Sequence, residues 1–443
     1  MPKVDKAFTI AKSLHAEFNA ITLYSESDRE WTEELLYYVD GVYRYGARSK
    51  IEEAIVARWP QDATMHFIRE TINRIRCIRK VERDGLNTQP YLINVKNGVV
   101  LLDDSGLVSG FIPHTPGILS TIQVPVNYDP DATCPKFVKF LHDVVDDESA
   151  MTILEFIGYC LYRSQPLEKW LLLVGEGENG KSRLVKAIER FLGSSNVTHT
   201  TLQSLASSRF ASSSLFGKLA NLVPDLPSTD LKDTGIIKTV ASQDSLSGEK
   251  KGKDAFDFES FAKLVFSANH PPRVSDREQS HAFWRRILYI EFKNQFLEGD
   301  PKRDPFIVDK ITTPAELSGL LNMALDGLGR VLVRGGFTFT KTPDEIAVKY
   351  NVASDPVKTF VDEFCGFGDD YVIATREAHE TYNKEFCPEF ETAPMSETAF
   401  SLNFKRVCGT HVYKGRYYGK SGFRGVGLIK GKYASTSLGV RLY

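Results

Sequence analysis

Eight consecutive residues, Gly175, Glu176, Gly177, Glu178, Asn179, Gly180, Lys181 and Ser182, have the types and spacing of a phosphate cradle. They fit G-x-x-x-x-G-K-[ST], in which backbone N–H groups wrap phosphate oxygens, the lysine reaches the β and γ oxygens, and the hydroxyl takes a place on Mg²⁺. A nucleoside triphosphate such as ATP, with Mg²⁺, is the ligand these residues imply. The elements around the loop agree with it. Trp170 to Val174 is an apolar run of strand length, and Leu184, Ala187, Ile188 and Phe191 recur at helical spacing until Gly193 ends the pattern.

Hydrolysis needs more than a cradle. An acid at the end of a neighbouring strand must hold the Mg²⁺ shell and orient the attacking water. Asp225, which closes the apolar stretch Lys218 to Val223 and its following proline, is the first candidate, with Asp230 and Asp233 behind it. Phe261 to Asn269 reads as another buried strand, and Asn269 at its end has the amide to bind the water, although N-x-P-P is also an ordinary turn. Arg285 and Arg286 precede a strand, Ile287 to Phe292. Guanidiniums there suit a finger supplied to a neighbouring subunit's site, or a surface ion pair.

Positive charge gathers in two further places. Between Gln243 and Phe261 the pattern is a β-hairpin whose tip carries Lys250, Lys251 and Lys253, able to touch a phosphate backbone in a groove or pore, or to sit in water as an exposed turn. From Ser401 to Tyr443 there are nine Lys and Arg and no Asp or Glu, Lys414, Arg416, Lys420 and Arg424 among them. Tyr413, Tyr417, Tyr418 and Phe423 interleave with these cations, as base-stacking residues or as the core of a small domain. A polyanion is the partner such asymmetry favours, against a net charge of only −2 for the whole chain.

With 443 residues, 42% hydrophobic and 25% charged, the composition is that of a soluble globular protein of two or three domains. No apolar run approaches the ~20 residues of a membrane span, and the charged N-terminus has no signal-peptide core. A cytoplasmic protein is expected, in the host cell cytoplasm if viral. Six scattered cysteines without C-x-x-C spacing predict neither zinc nor disulfides. Residues 1–145 read as a mixed α+β region with helices near Lys50 to Arg58 and Thr64 to Arg79. A hairpin follows over Tyr91 to Leu102, its turn given to Asn97 and Gly98 through positive φ, then a linker over Val124 to Cys134. A Ser-rich stretch, Ser204 to Ser214, reads as a mobile connection, and Ala315 to Arg334 as a helical lid. After Gly335 and Gly336 the order is helix, strand, helix, helix and a basic β-wing, which predicts a winged helix.

In order and spacing these motifs resemble the superfamily 3 helicases of the poxvirus and phage primase-helicase type. The resemblance rests on Tyr37, Gly41, Val42 and Tyr43, on Asn97-Gly98-Val99, and on the loop as G-x-G-x-N-G-K-S. It continues through Gly217-Lys218, Ile237-Lys238, Gln243-Asp244, S-A-N-x-x-P around Asn269 and F-W-R-R ending at Arg286. It implies an α/β P-loop, AAA+-like ATPase core at residues 146–335, preceded by a mixed α+β helicase-associated domain (1–145) and followed by a basic winged-helix domain (336–443). The activity implied is ATP-dependent unwinding in viral, phage or plasmid DNA replication. Such a chain would be a homo-hexamer on single-stranded and forked DNA, with the lysine hairpin lining the channel and a primase or polymerase domain or subunit as a further partner. An origin-binding initiator whose ATPase switches assembly is the alternative. Asp225 stands where such proteins usually carry Glu in or beside the acid position. No acidic cluster for nucleotide addition precedes Gly175, so the chain reads either as a stand-alone helicase or as the helicase part of a longer protein.

Overall fold

A strand that is apolar at every position must be covered on both faces, and Trp170–Val174 is buried throughout. The computed structural model describes residues 5–24, 34–231, 233–249, 255–275, 277–417 and 419–430. In it this strand is second in a five-stranded sheet running Ile287–Glu291, Trp170–Val174, Lys263–Ala268, Ala220–Val223, Val197–Thr198. All neighbours are parallel. Numbered in chain order the sheet is 5-1-4-3-2, so the loop-bearing strand lies where the order reverses. That reversal opens a crevice at the carboxyl ends of the strands, where α/β sheets place ligands.

The chain divides into two compact units, one of residues 1–226, 233–269 and 286–340, the other of 227–232, 270–285 and 341–443. In the first, one hydrophobic core joins the parallel sheet to the helices Pro135–Val144, Asp147–Leu161, Lys181–Leu192 and Pro314–Arg334. The last of these buries Leu320, Leu321, Ala324 and Leu328 completely, so the expected lid is a core helix. Lys263, fully buried, ties strand four to the chain end before strand one: its ammonium donates to the carbonyls of Tyr162, Ser164 and Phe261. Burial pushes that amine down to about 7.

Three further sequence expectations for this unit change. Val124 and Val126 are 1% and 2% exposed, and Val124 bridges Val95, so the stretch read as a linker is packed into the core. The serine-rich stretch forms short helices, Leu202–Ser207 and Arg209–Ser212, because Leu202, Leu205 and Leu215 bury against the unit and Thr201 caps the first. The hairpin Leu92–Val95 with Gly98–Leu102 exists, but neither Asn97 nor Gly98 has positive φ. Gly98 is needed instead for close approach: a Cβ there would lie 2.7 Å from the Ile112 carbonyl of the adjoining strand.

Before that hairpin, a four-stranded sheet (Val42–Tyr45, Glu34–Val39, Ile21–Tyr24, Lys80–Glu82) packs under the helices Lys6–Phe18, Ala47–Arg58 and Met65–Ile78. In the second unit, the helices Pro356–Phe364, Thr375–Thr381 and Glu397–Cys408 surround an aromatic core of Phe360, Phe364, Tyr382, Phe386, Phe400 and Phe404. Its three-stranded sheet runs Cys365–Ala374, Lys420–Leu428, Tyr413–Tyr417, all antiparallel. Asp355, 6% exposed, caps the helix Pro356–Phe364 and accepts from both Arg406 and Arg273. Arg273 also grips Asp230 at 3.0 and 3.2 Å. Among the described residues no helix is long and apolar enough to cross a membrane. All six cysteines are free thiols, five of them buried.

Candidate functional site

The loop leaves strand one and turns directly into the helix Lys181–Leu192, whose N-cap is Gly180 at φ 92 with no side-chain cap. The first N–H of the helix, that of Lys181, donates to Asn179 Oδ1 at 3.4 Å, and the N–H groups of this first turn carry the positive end of the helix dipole toward the loop. Glu178 also adopts positive φ, 59, and alternation of this kind curls backbone N–H groups inward as an anion nest. Gly175 is required by crowding, since a Cβ there would lie 2.4 Å from the Phe292 carbonyl.

Lys181 is only 5% exposed, and its amine is ringed by oxygens: the carbonyls of Gly175 (2.5 Å) and Glu176 (3.1 Å), Asn179 Oδ1 (3.0 Å) and Asn269 Oδ1 (3.1 Å). Four acceptors around one ammonium make a site that phosphate oxygens can enter by exchange. The Lys181 to Asn269 bond links the loop to the end of strand four. Strand register supplies the third member. Val223 pairs with Phe266, and Ala268 with Val174, so Asp225, two residues past Val223, is level with Val174, the residue from which the loop leaves. Leu226 N donating to the Ser267 carbonyl at 2.7 Å holds that turn against strand four. The structure therefore brings Lys181, Asn269 and Asp225 to the carboxyl ends of three adjacent strands.

Burial pushes the Lys181 ammonium down to about 8, opposed by the Glu176 and Asp225 carboxylates. A bound triphosphate would pull this pKa up again. Below about pH 8 the amine is already charged and binding takes up no proton; above it, each bound nucleotide must bring one. Nucleotide affinity is therefore expected to be flat below pH 8 and to fall by up to about tenfold per pH unit above it. Calorimetric titration at pH 9 in two buffers of different ionisation enthalpy should register proton uptake; equal heats in both would contradict the linkage.

The other expected residues fall into different settings. Ser182 and Asp225 are exposed, and a hydroxyl with a carboxylate is a hard oxygen pair suited to Mg²⁺ that keeps waters and phosphate oxygens as its remaining ligands. Among the described residues no cluster of three or more His, Cys, Asp or Glu could hold a metal, so an all-protein cage is not what this site offers. Asp230 is held by Arg273, and Asp233 accepts from Gly235 N at 2.7 Å just before the following helix, which occupies both runners-up. Arg286 is 7% exposed and bound within its own chain, to Glu168 at 2.7 Å and Ser242 at 2.9 Å. Arg285 is half-buried.

The expected hairpin is present as Ser245–Gly248 with Phe256–Glu259, and both phenylalanines of its return strand pack on Phe216. Lys250, Lys251 and Lys253 lie outside the described residues. In the second unit Arg416 and Arg424 are exposed, Lys420 lies 3.7 Å from Glu377, and Lys414 donates to Ser401 at 2.6 Å. Phe423 is core, while Tyr413 is 68% exposed; Tyr418 lies outside the described residues. The helix Glu397–Cys408 presents Leu402 to solvent at 68%.

One part of the site has no motif. The segment after strand five is stitched to the loop: Asn179 Nδ2 donates to the Phe292 carbonyl (3.4 Å), Gln295 to that of Gly177 (3.3 Å), Phe296 N to that of Glu178 (2.8 Å), and Arg303 pairs with the Glu178 carboxylate (3.0 Å). These partners are more than a hundred positions apart, and no local pattern marks them.

Residues 173–286 match the model of a family described as "Family of unknown function (DUF5906)". Residues 19–146 match one described as "D5 N terminal like". Among viral relatives, "Putative helicase L207/L206" of Acanthamoeba polyphaga mimivirus is 26% identical over 223 residues, 48% of this chain and 23% of that protein. "Putative helicase 184R" of Invertebrate iridescent virus 6 is 28% identical over 234 residues, again 48% and 23%. "Putative primase C962R" of African swine fever virus (strain Badajoz 1971 Vero-adapted) is 23% identical over 248 residues, 52% and 26%. The matched region is thus about a quarter of each relative's length. Among solved structures, "The A form apo structure of NrS-1 C terminal region-CTR" aligns over 95% of this chain and 100% of that one, with a TM-score of 0.50 at 12% identity, a likeness of fold. These viral relatives are thus proteins named as putative helicases or a putative primase, each matched over about half of this chain.

Proposed function

We propose that this chain is the ATP-driven motor of a viral DNA helicase, an AAA+-like P-loop ATPase of superfamily 3 that works on single-stranded and forked DNA as a hexameric ring. The observation that carries the reading is the meeting of Lys181, Asn269 and Asp225 at the carboxyl ends of strands one, four and three, beside the switch point of the sheet. Lys181 and the backbone of Gly175–Ser182 bind and orient the phosphates, and Asp225 and Asn269 position the water. Mg²⁺, when bound, neutralises charge on the phosphate oxygens, with Ser182 and Asp225 as its protein ligands. Arg285 from a neighbouring subunit completes the site. The names of the viral relatives bring DNA, and a primase partner, to this reading.

The second unit supports a winged-helix assignment: three helices, then a hairpin that joins the strand Cys365–Ala374 in one sheet. Exposed Leu402, Arg416 and Arg424 give it a surface for a nucleic-acid groove. The same surface is what an origin-binding initiator would use, so the two readings separate on one measurement. ATP hydrolysis is expected to rise severalfold with single-stranded DNA, forked duplex to be unwound, and negative-stain images with both ligands to display six-fold rings. Site-specific duplex binding without unwinding would favour the initiator; hydrolysis indifferent to DNA would remove both.

A further inference from the structure

Beside the phosphate loop lies a cavity of about 220 Å³, smaller than the 300–1,000 Å³ of sites for drug-sized ligands. Phe140 and Val144 from the helix Pro135–Val144, and Phe296 and Ile307 from the segment after strand five, give it apolar walls. Glu178 and Gly180 of the loop itself form another side, so the cavity and the phosphate nest share backbone. The segment that closes it is held down at residues 292, 295, 296 and 303 by the loop contacts already described, and Asn294 fastens it to the Asp143 carbonyl at 2.9 Å.

A triphosphate seated on this loop has two ends. The terminal phosphoryl belongs with Lys181, Asn269 and Asp225. The other end continues into a sugar and a flat heteroaromatic base, and a small slot contiguous with Glu178 and Gly180, with apolar walls and a charged rim that includes Arg183, Lys302 and Asp304, matches that base in size. Of the carboxylates in the lining, Glu178 pairs with Arg303, and Asp304 accepts from Phe306 N and Lys310, which makes Asp143 the candidate to read an edge. Asp143 Oδ2 accepts from the Lys139 ammonium at 2.5 Å, while Lys302 stands 3.9 Å from Oδ1, beyond hydrogen-bond range. A carboxylate oxygen only accepts.

We propose that this cavity seats the nucleobase and that Asp143 is its specificity-determining residue, selecting a base with an exocyclic amine over one that carries a carbonyl oxygen at that edge. The proposal rests on the nucleotide-binding reading above. Adenine satisfies Asp143 by donating its amine; hypoxanthine turns an oxygen toward it and leaves two acceptors facing each other. Leaving such a group unpaired costs roughly tenfold to a hundredfold in affinity.

The test compares ATP, ITP and inorganic tripolyphosphate, each with Mg²⁺, by equilibrium titration of the full chain and of its Asp143→Asn and Phe296→Ala variants. ATP is expected to bind the unchanged protein at least tenfold more tightly than either competitor. The Asp143 carboxylate takes no part in phosphate binding, so in D143N the ATP-to-ITP ratio should approach one while tripolyphosphate binds as before. F296A should weaken ATP about tenfold and leave tripolyphosphate unaffected, which also certifies that the variants fold. Equal affinity of ATP and tripolyphosphate for the unchanged protein, or an ATP-to-ITP ratio that survives D143N, overturns the assignment. Binding of none of the three overturns the nucleotide-site reading and this one with it.

Discussion

Lys181→Ala is expected to lower ATP turnover at least about a thousandfold, which corresponds to roughly 4 kcal/mol of transition-state stabilisation. The amine lies against both the loop carbonyls and Asn269, and charge on the transferred phosphoryl grows as the reaction proceeds. The variant should stay folded. A lysine this buried, whose pKa burial has depressed to about 8, carries its charge at a cost to the fold, so removing it also removes that cost. Lys181→Met, which keeps the stem and loses the ammonium, separates packing from charge. Both variants should retain DNA binding, because the basic groups of the second unit are untouched. Steady-state hydrolysis, thermal unfolding and DNA titration together decide the matter, and undiminished hydrolysis in K181M would remove the loop from the catalytic site.

Much of this site was legible because its parts are local. A phosphate loop is eight adjacent residues whose backbone does the binding, so the pattern itself is the geometry. Asp225 and Asn269 could be placed because each follows an apolar strand, and parallel strands of one sheet end together. What could not be read depends on partners remote in sequence. Arg285 and Arg286 look alike in a chain, yet Arg286 is buried against Glu168 and Ser242 while Arg285 is half-buried. Arg303 stands 125 positions from Glu178 and Asn179 stands 113 from Phe292, so the segment closing the cavity carried no signal. Composition misled where a few apolar side chains outweighed it. Leu202, Leu205 and Leu215 order a serine-rich stretch, and Val124 and Val126 bury what Pro and Asp made look like a linker. The Asn97-Gly98 turn was found for a reason the backbone does not use, since Gly98 admits a neighbouring strand rather than a left-handed turn.

The capture of Arg286 sharpens the second large prediction. A guanidinium that is 7% exposed and ion-paired at 2.7 Å to the partly exposed Glu168 of its own chain cannot reach another subunit without breaking that pair and leaving its packed site. Under the proposed mechanism the finger is then assigned to Arg285, which is half-buried. Arg285→Ala is therefore expected to lower turnover by a factor between about 10³ and 10⁵ while nucleotide affinity changes little, since a finger acts on charge that develops only in the transition state. Arg286→Ala should instead lower the melting temperature, with activity falling as the fold does. A mixing experiment distinguishes a finger in trans from a residue that merely supports its own site. Each inactive variant, K181A and R285A, has what the other lacks: a subunit with Lys181 and no finger beside a subunit with a finger and no Lys181 forms one complete site. Random assembly at equal ratio makes about a quarter of the interfaces complete, and turnover should recover toward that fraction if sites fire independently. Heteromers confirmed by pull-down that stay as inactive as either parent would mean that Arg285 acts within its own chain, and that hydrolysis does not require the neighbour.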